Sequence, residues 1–147
     1  MTTDPIVKTV NVGLSPADAF DLFTARMDTW WPLDRNSVSA GQGAASKSLT
    51  LTPGMGGELV EIGHDDTRHL WGHVQEWKPG SLVALSWHPG KMADQQTHLR
   101  VTFEADGTGT KVTLTHSGWE ALDDGAKMRG GYNEGWVGVL ERFTATA

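Results

Sequence analysis

Cysteine is absent from this chain. That removes a disulfide framework, a thiolate metal site and a thiol nucleophile together. Cationic charge is sparse and scattered: 12 Lys+Arg stand against 18 Asp+Glu, a formal charge of −6, and no basic run occurs. Binding to a phosphate backbone rests on clustered cations, so a nucleic-acid partner is not expected. No apolar run approaches the length needed to span a bilayer. Met1-Thr2-Thr3-Asp4-Pro5 lacks the cationic and apolar regions of a signal peptide, so a cytoplasmic protein without a membrane partner is expected. Nucleophile elbow, phosphate-cradling loop and dinucleotide fingerprint are all missing. Internal repeats and low-complexity segments are missing too. Tryptophan, by contrast, is plentiful: seven in 147 residues, a length that suits one domain with a real core.

The segment that organises the chain is its last, Leu122 to Phe143. At about 100° per residue, Met128, Tyr132, Trp136, Val139, Leu140 and Phe143 share one side of a helix. Such an amphipathic face must lie on something apolar. Gly131, Gly135 and Gly138 form a second stripe beside it. Each costs a helix interior roughly 0.5–1 kcal/mol relative to alanine. Two reasons could offset that cost: close backbone packing, or an empty volume left beside the helix.

Upstream, Ile6 to Val12 alternates as a first strand. Ser15-Pro16-Ala17-Asp18 is a helix start, with Ser15 as N-cap and Pro16 at N1. Ala19, Phe20, Phe23 and Met27 carry that helix to about Met27. Trp30-Trp31-Pro32 ends it, because a residue before proline is pushed out of helical dihedrals. Residues 33 to 47 read as a polar loop with one short helical turn, either a lid or binding edge or a plain connector.

From Lys47 the period changes to two. Leu49 and Leu51 alternate, then Glu58 to Ile62, then Arg68 to Trp77, where His69, Trp71, His73, Gln75 and Trp77 hold one phase. Ser81 to His88 follows, with Val83, Leu85 and Trp87 facing inward. Thr97 to Ala105 has the cleanest pattern, with Leu99, Val101 and Phe103 inward. Asp106-Gly107-Thr108-Gly109 makes a hairpin. Thr110 to His116 closes the series, with Val112 and Leu114 inward and His116 continuing their phase. The order is therefore strand, helix, a meander of about six strands, long helix. An antiparallel meander with one polar face needs a cover on the other, and only the terminal helix is long enough. The expectation is an α+β helix-grip fold, a curved sheet around one helix, in a single domain over 1–147.

Several stretches together carry a family resemblance. They are Trp30-Trp31-Pro32; Leu70-Trp71-Gly72-His73-Val74-Gln75-Glu76-Trp77-Lys78-Pro79-Gly80; and Leu99-Arg-Val-Thr-Phe. Gly107-Thr-Gly-Thr-Lys-Val-Thr-Leu-Thr-His116-Ser-Gly-Trp119, running on to Tyr132-Asn-Glu-Gly-Trp136, completes the set. In this order the chain resembles bacterial proteins of the activator of heat-shock protein 90 ATPase homologue-like class, within the START-like (SRPBCC) superfamily that also contains the birch-pollen allergen. The resemblance covers nearly the whole chain. It implies a mostly apolar cavity between sheet and C-terminal helix that takes hydrophobic small molecules. A minority of such proteins do chemistry there. The eukaryotic namesake stimulates a chaperone, but that role also depends on a separate N-terminal domain that a chain of this length lacks.

A hydrophobic or aromatic small molecule is accordingly the expected partner, with no cofactor. The expected cavity residues are Trp30, Trp31, Trp71, His73, Trp87, Leu99, Val101, Phe103, His116, Trp119, Met128, Tyr132 and Trp136. Trp30 and Trp31 are adjacent, so one of them is expected at the mouth. An alternative is a cyclase- or hydratase-type enzyme using His116, Tyr132 or Glu61 as acid or base; the phase of Glu61 is open. Another is a protein partner, a chaperone or a second copy of the chain. His69 and His73 would sit about 13 Å apart along a strand, too far to share a metal whose bonds to nitrogen are about 2 Å. No metal site is expected.

Overall fold

The computed structural model describes residues 2–147. Seven strands form one antiparallel sheet: β1 (Ile6–Val12), β2 (Ser48–Leu51), β3 (Glu58–Ile62), β4 (Arg68–Lys78), β5 (Leu82–Trp87), β6 (Thr97–Asp106) and β7 (Gly109–Ser117). Their order across the sheet is β1-β7-β6-β5-β4-β3-β2. The last six strands are thus a plain meander, and β1 returns to the far edge beside β7, pairing Ile6 with His116 and Val12 with Thr110. The sheet curls into a half-barrel. Helix α1 (Pro16–Phe23) packs on β6 and β7, and the long helix α2 (Gly125–Thr146) packs against the curled sheet. No helix among the described residues is long and apolar enough to cross a membrane.

The sequence signals act locally as their chemistry dictates. Ser15 caps α1, its Oγ accepting the Asp18 N–H at 3.2 Å. The helix stops at Phe23, short of the expected Met27. The Thr24 hydroxyl donates back to Phe20 O at 2.7 Å, and the chain tightens into a 3₁₀ turn at Met27–Thr29. Along β6 the alternation is clean, and Leu99, Val101 and Phe103 are all buried.

Strand β4 departs from strict alternation. Val60 pairs with Leu70 but Leu59 pairs with Gly72, which leaves Trp71 as an extra residue. A second slip follows, because Val74 pairs with Leu85 but Glu76 pairs with Ala84. Each bulge shifts the inward phase by one residue. Trp71 and Val74 are buried and Trp77 packs partly against the core, whereas His73 is thrown outward. Gly72 is required where the bulge presses on β5: a Cβ there would stand 1.8 Å from Ser86 O.

Candidate functional site

Helix α2 has two different halves. The inner face of its C-terminal half is packed: Phe143 meets Phe23 at 5.3 Å and Trp30 at 5.1 Å between ring centroids. Phe20 and Phe103 complete a cluster that takes in all four phenylalanines of the chain. Its N-terminal half covers a hollow. A pocket of about 540 Å³ opens between that half of α2, the 31–41 segment, and the ends of β4 and β5. The glycine stripe decides between its two explanations here. A Cβ at Gly131 or Gly138 would meet nothing within 4 Å, and one at Gly135 would only touch Asn36 Nδ2 at 3.5 Å. The stripe is therefore not a close-packing edge, and Gly131 and Gly135 form part of the pocket wall.

Four indoles make the apolar wall: Trp31, Trp71, Trp87 and Trp136. Their rings interlock, with Trp71 and Trp87 at 5.3 Å, Trp31 and Trp71 at 5.5 Å, and Trp87 and Trp136 at 5.5 Å. Edge-to-face and tilted contacts of this kind hold large rings at fixed angles. Three of the four N–H groups are tied down. Trp31 Nε1 donates to Asn36 O at 2.7 Å, Trp71 Nε1 to Glu61 Oε1 at 3.0 Å, and Trp136 Nε1 to His116 Nδ1 at 3.0 Å. The Trp87 N–H is buried without a partner.

His116 lies behind this wall, fully buried. An indole nitrogen can only donate, so His116 Nδ1 must be the bare, accepting nitrogen. The proton is then on Nε2, which faces Thr97 Oγ1 at 2.6 Å; that hydroxyl passes its own proton to Trp87 O at 3.1 Å. Burial pushes the imidazole down to about 3, with a smaller push from His98. The ring also sits between Trp119, tilted at 4.2 Å, and Tyr132, edge-to-face at 5.0 Å. His116 is a neutral bracket holding Trp136, Tyr132 and the end of β5 in register.

Glu61 faces inward, which settles its phase, and it is fully buried. Its carboxylate accepts from Val38 N at 2.8 Å, Ser39 N at 3.1 Å and Trp71 Nε1 at 3.0 Å. A buried carboxylate is tolerated when several donors replace water. The donors here are the loop backbone and one wall indole, so Glu61 fastens the 31–41 segment to the sheet. That segment, polar and aperiodic in sequence, is a wall of the pocket through Arg35, Asn36, Ser37, Val38 and Gly41.

Of the residues expected at the cavity, the structure brings together Trp31, Trp71, Trp87, Met128, Tyr132 and Trp136. Leu99, Val101, Phe103, Trp30 and Trp119 are buried in the packed core and do not line the pocket. His116 is one layer behind it. His73 lies on the opposite face, its side chain 47% exposed and its Nε2 3.7 Å from Glu58, because the bulge at Trp71 reversed its phase. Trp30 and Trp31 are both buried, which the adjacent pair was not expected to manage, and of the two only Trp31 borders the pocket. Trp30 Nε1 reaches Leu22 O at 2.8 Å, so each indole has its own carbonyl. Sequence reasoning missed Arg35, Asn36, Pro89, Gly90, Asp124 and Lys127, which come from loops or from the first turn of α2 and its N-cap.

Solved structures share this architecture. Protein MLL2253 from Mesorhizobium loti is 15% identical with a TM-score of 0.70, over 97% of this chain and 95% of that one. The Aha1 dimer from Colwellia psychrerythraea is 16% identical with a TM-score of 0.66, over 96% and 93% of the two chains. Txn09, an anthrahydroquino-gamma-pyrone synthase solved as a complex, is 24% identical with a TM-score of 0.64, over the full length of both chains. At these identities the likeness is one of fold. No functionally curated protein matches the sequence. Residues 14–147 match the family described as Activator of Hsp90 ATPase homolog 1-like protein, and the chain belongs to that family, within the SRPBCC superfamily.

Proposed function

We propose that this protein binds a hydrophobic, aromatic small molecule in the pocket beside the N-terminal half of α2. The observation that carries the reading is the pocket itself: about 540 Å³ walled by four indoles and left open by a glycine-stripped helix edge. That volume lies in the range of roughly 300–1,000 Å³ typical of small-molecule sites, and so does the mixture of an apolar wall with a few placed polar groups. The family fold is one that typically binds hydrophobic ligands. Binding is favoured over catalysis because His116 and Glu61, two of the three candidate acid–base groups, already spend their polar atoms on structural partners, and burial raises the third, the Tyr132 phenol, away from the range where it could act as a base. The solved relative Txn09 is a synthase; the fold it shares does not carry its reaction here.

Intrinsic tryptophan fluorescence tests the proposal, since the wall is made of the reporters. Titration with a panel of polycyclic aromatics, with long-chain fatty acids as a contrasting class, should quench emission for the aromatics. The same compounds should raise the melting temperature, a ligand at a hundredfold excess over its Kd adding about 2.7 kcal/mol. No quenching and no thermal shift with any compound would reject the reading.

A further inference from the structure

Arg35 stands where two hollows meet. It lines the aromatic pocket, and with Asn36 it also lines a second hollow of about 280 Å³, whose wall includes Pro32, Gly138 and Arg142. The backbone that carries it is held from both sides. Arg35 N donates to Pro32 O at 3.1 Å, and the carbonyl of the next residue, Asn36, accepts from the wall indole of Trp31 at 2.7 Å. The exposed guanidinium itself forms no ion pair among the described residues. A long cationic side chain is thus fixed at its root and free at its tip.

The helix opposite carries more of the same charge. At about 100° per residue, Lys127, Gly131, Gly135, Gly138 and Arg142 fall within about 80° along one edge of α2. A cation therefore stands at each end of the glycine track, about 22 Å apart along the axis. The Arg35–Asn36 pair crosses the middle of that track, since a Cβ on Gly135 would meet Asn36 Nδ2 at 3.5 Å. Lys127 and Arg142 form no ion pair among the described residues either. Two acids, Asp124 and Glu141, share these walls with the three cations, an excess of one positive charge in a chain of formal charge −6. Asp124 is the N-cap of α2, where the positive end of the helix dipole already favours it. The cations have no such compensation. Flat indole on one side of Arg35 and unpaired cations on the other call for a ligand of two parts. We propose that the protein takes a planar aromatic acid: its rings lie against the indole wall, and a carboxylate on a short flexible arm runs along the glycine edge to Arg35, with Arg142 next in line. A guanidinium meets a carboxylate with two parallel N–H···O bonds, and the bare edge at Gly131 and Gly138 leaves the arm its room. This inference rests on the small-molecule reading above and adds the charge of the ligand and the residue that reads it.

Pyrenebutyrate and pyrenebutanol share a ring system and an arm, and differ in the charge at its end. Titration of each at neutral pH, followed by quenching of tryptophan emission, gives the ratio of their affinities. The wild-type protein is expected to bind the acid about fivefold more tightly than the alcohol, the scale of one well-formed but solvent-exposed ion pair. Arg35 is exposed, so Arg35→Gln should fold as the wild type does, with the ratio reduced to about one. Lys111→Gln removes the same charge from an exposed position on β7 that lines neither hollow, and the ratio should hold there. Equal affinity for both probes in the wild type would overturn the acid assignment and leave the pocket reading standing. So would a preference that survives Arg35→Gln, or one that Lys111→Gln abolishes to the same degree. Binding of neither probe would also overturn the assignment, and alongside no response to the wider aromatic panel it would overturn the small-molecule reading too.

Discussion

Trp136 Nε1 donates to His116 Nδ1 at 3.0 Å, and this one bond decides how the histidine can behave. Because the indole cannot accept, a second proton on His116 would have to displace it. The proton on Nε2 is already engaged with Thr97. A histidine so enclosed resists charging, in line with a pKa pushed down to about 3 by burial.

The consequence is a pH dependence of stability with a definite sign. In the unfolded chain His116 takes up a proton near 6.5; in the folded protein it does not until about pH 3. Its contribution is whole above pH 6.5 and is lost as pH falls through the window from 6.5 to about 3. By pH 5 the loss from this residue should be about 2 kcal/mol. Urea unfolding at pH 8 and pH 5, for the wild type and His116→Gln, checks it. Glutamine can still accept from Trp136 and donate to Thr97 but does not titrate, so the variant should lose about 2 kcal/mol less between the two pH values. Identical pH profiles would mean that His116 is not held neutral.

The glycine stripe separates stability from binding. A Cβ at Gly131 meets open space, and its helical position favours alanine. Gly131→Ala should therefore stabilise the protein by about 0.5–1 kcal/mol, read as a higher denaturation midpoint with an unchanged slope. Gly131→Phe puts a ring into the pocket instead. It should fold as well as the wild type yet lose the ligand-induced quenching. Unaltered ligand binding in Gly131→Phe would show that ligands do not enter beside α2.

How much of this was legible in the sequence depends on whether the local pattern ran unbroken. Strand β6 could be read residue by residue, because Leu99, Val101 and Phe103 alternate without interruption and all point into the core. Strand β4 could not. Its two bulges each add a residue, so a strict period of two carries His73 inward when it lies outside. One signal was available: an isolated glycine in a strand, Gly72, often marks a bulge or a close approach of backbones. The apolar face of α2 was legible, but not where along it packing gives way to a hollow. That boundary is set by which rings arrive from elsewhere, the phenylalanines at one end and Trp31, Trp71 and Trp87 at the other. The wall from Arg35 to Gly41 has no periodicity at all, and its position follows from a carboxylate 22 and 23 residues away in sequence.

That carboxylate yields a prediction about order. Glu61→Gln replaces an oxygen with an NH₂ group where only acceptors are useful, so at least one of the three donors from Val38, Ser39 and Trp71 loses its partner. Hydrogen bonds to a charged acceptor are worth about 1.5–3 kcal/mol each, and a global loss of about 2–3 kcal/mol is expected. The more telling readout is local. Amide exchange should accelerate at residues 36–41 well before the sheet is affected, with weakened ligand quenching. Uniform protection in the variant would remove Glu61 as the fastening of that wall.

The two halves of α2 should respond oppositely to truncation, which tests the division of the helix into a packed part and an open part. Phe143 is fully buried against Phe23 and Trp30, so Phe143→Ala leaves a cavity the surrounding rings cannot fill and should cost about 3–5 kcal/mol. Met128, about four turns earlier in the same helix, is only partly buried and borders space that is already empty. Removing its side chain creates little new cavity, so Met128→Ala should cost under about 1.5 kcal/mol. Its apolar contact with the ligand is lost, however, and affinity for the aromatic probe should fall several-fold. If Met128→Ala destabilised the protein as severely as Phe143→Ala, the N-terminal half of the helix would be packed rather than hollow. Equal stability losses from the two truncations are therefore the outcome that this division of the helix forbids.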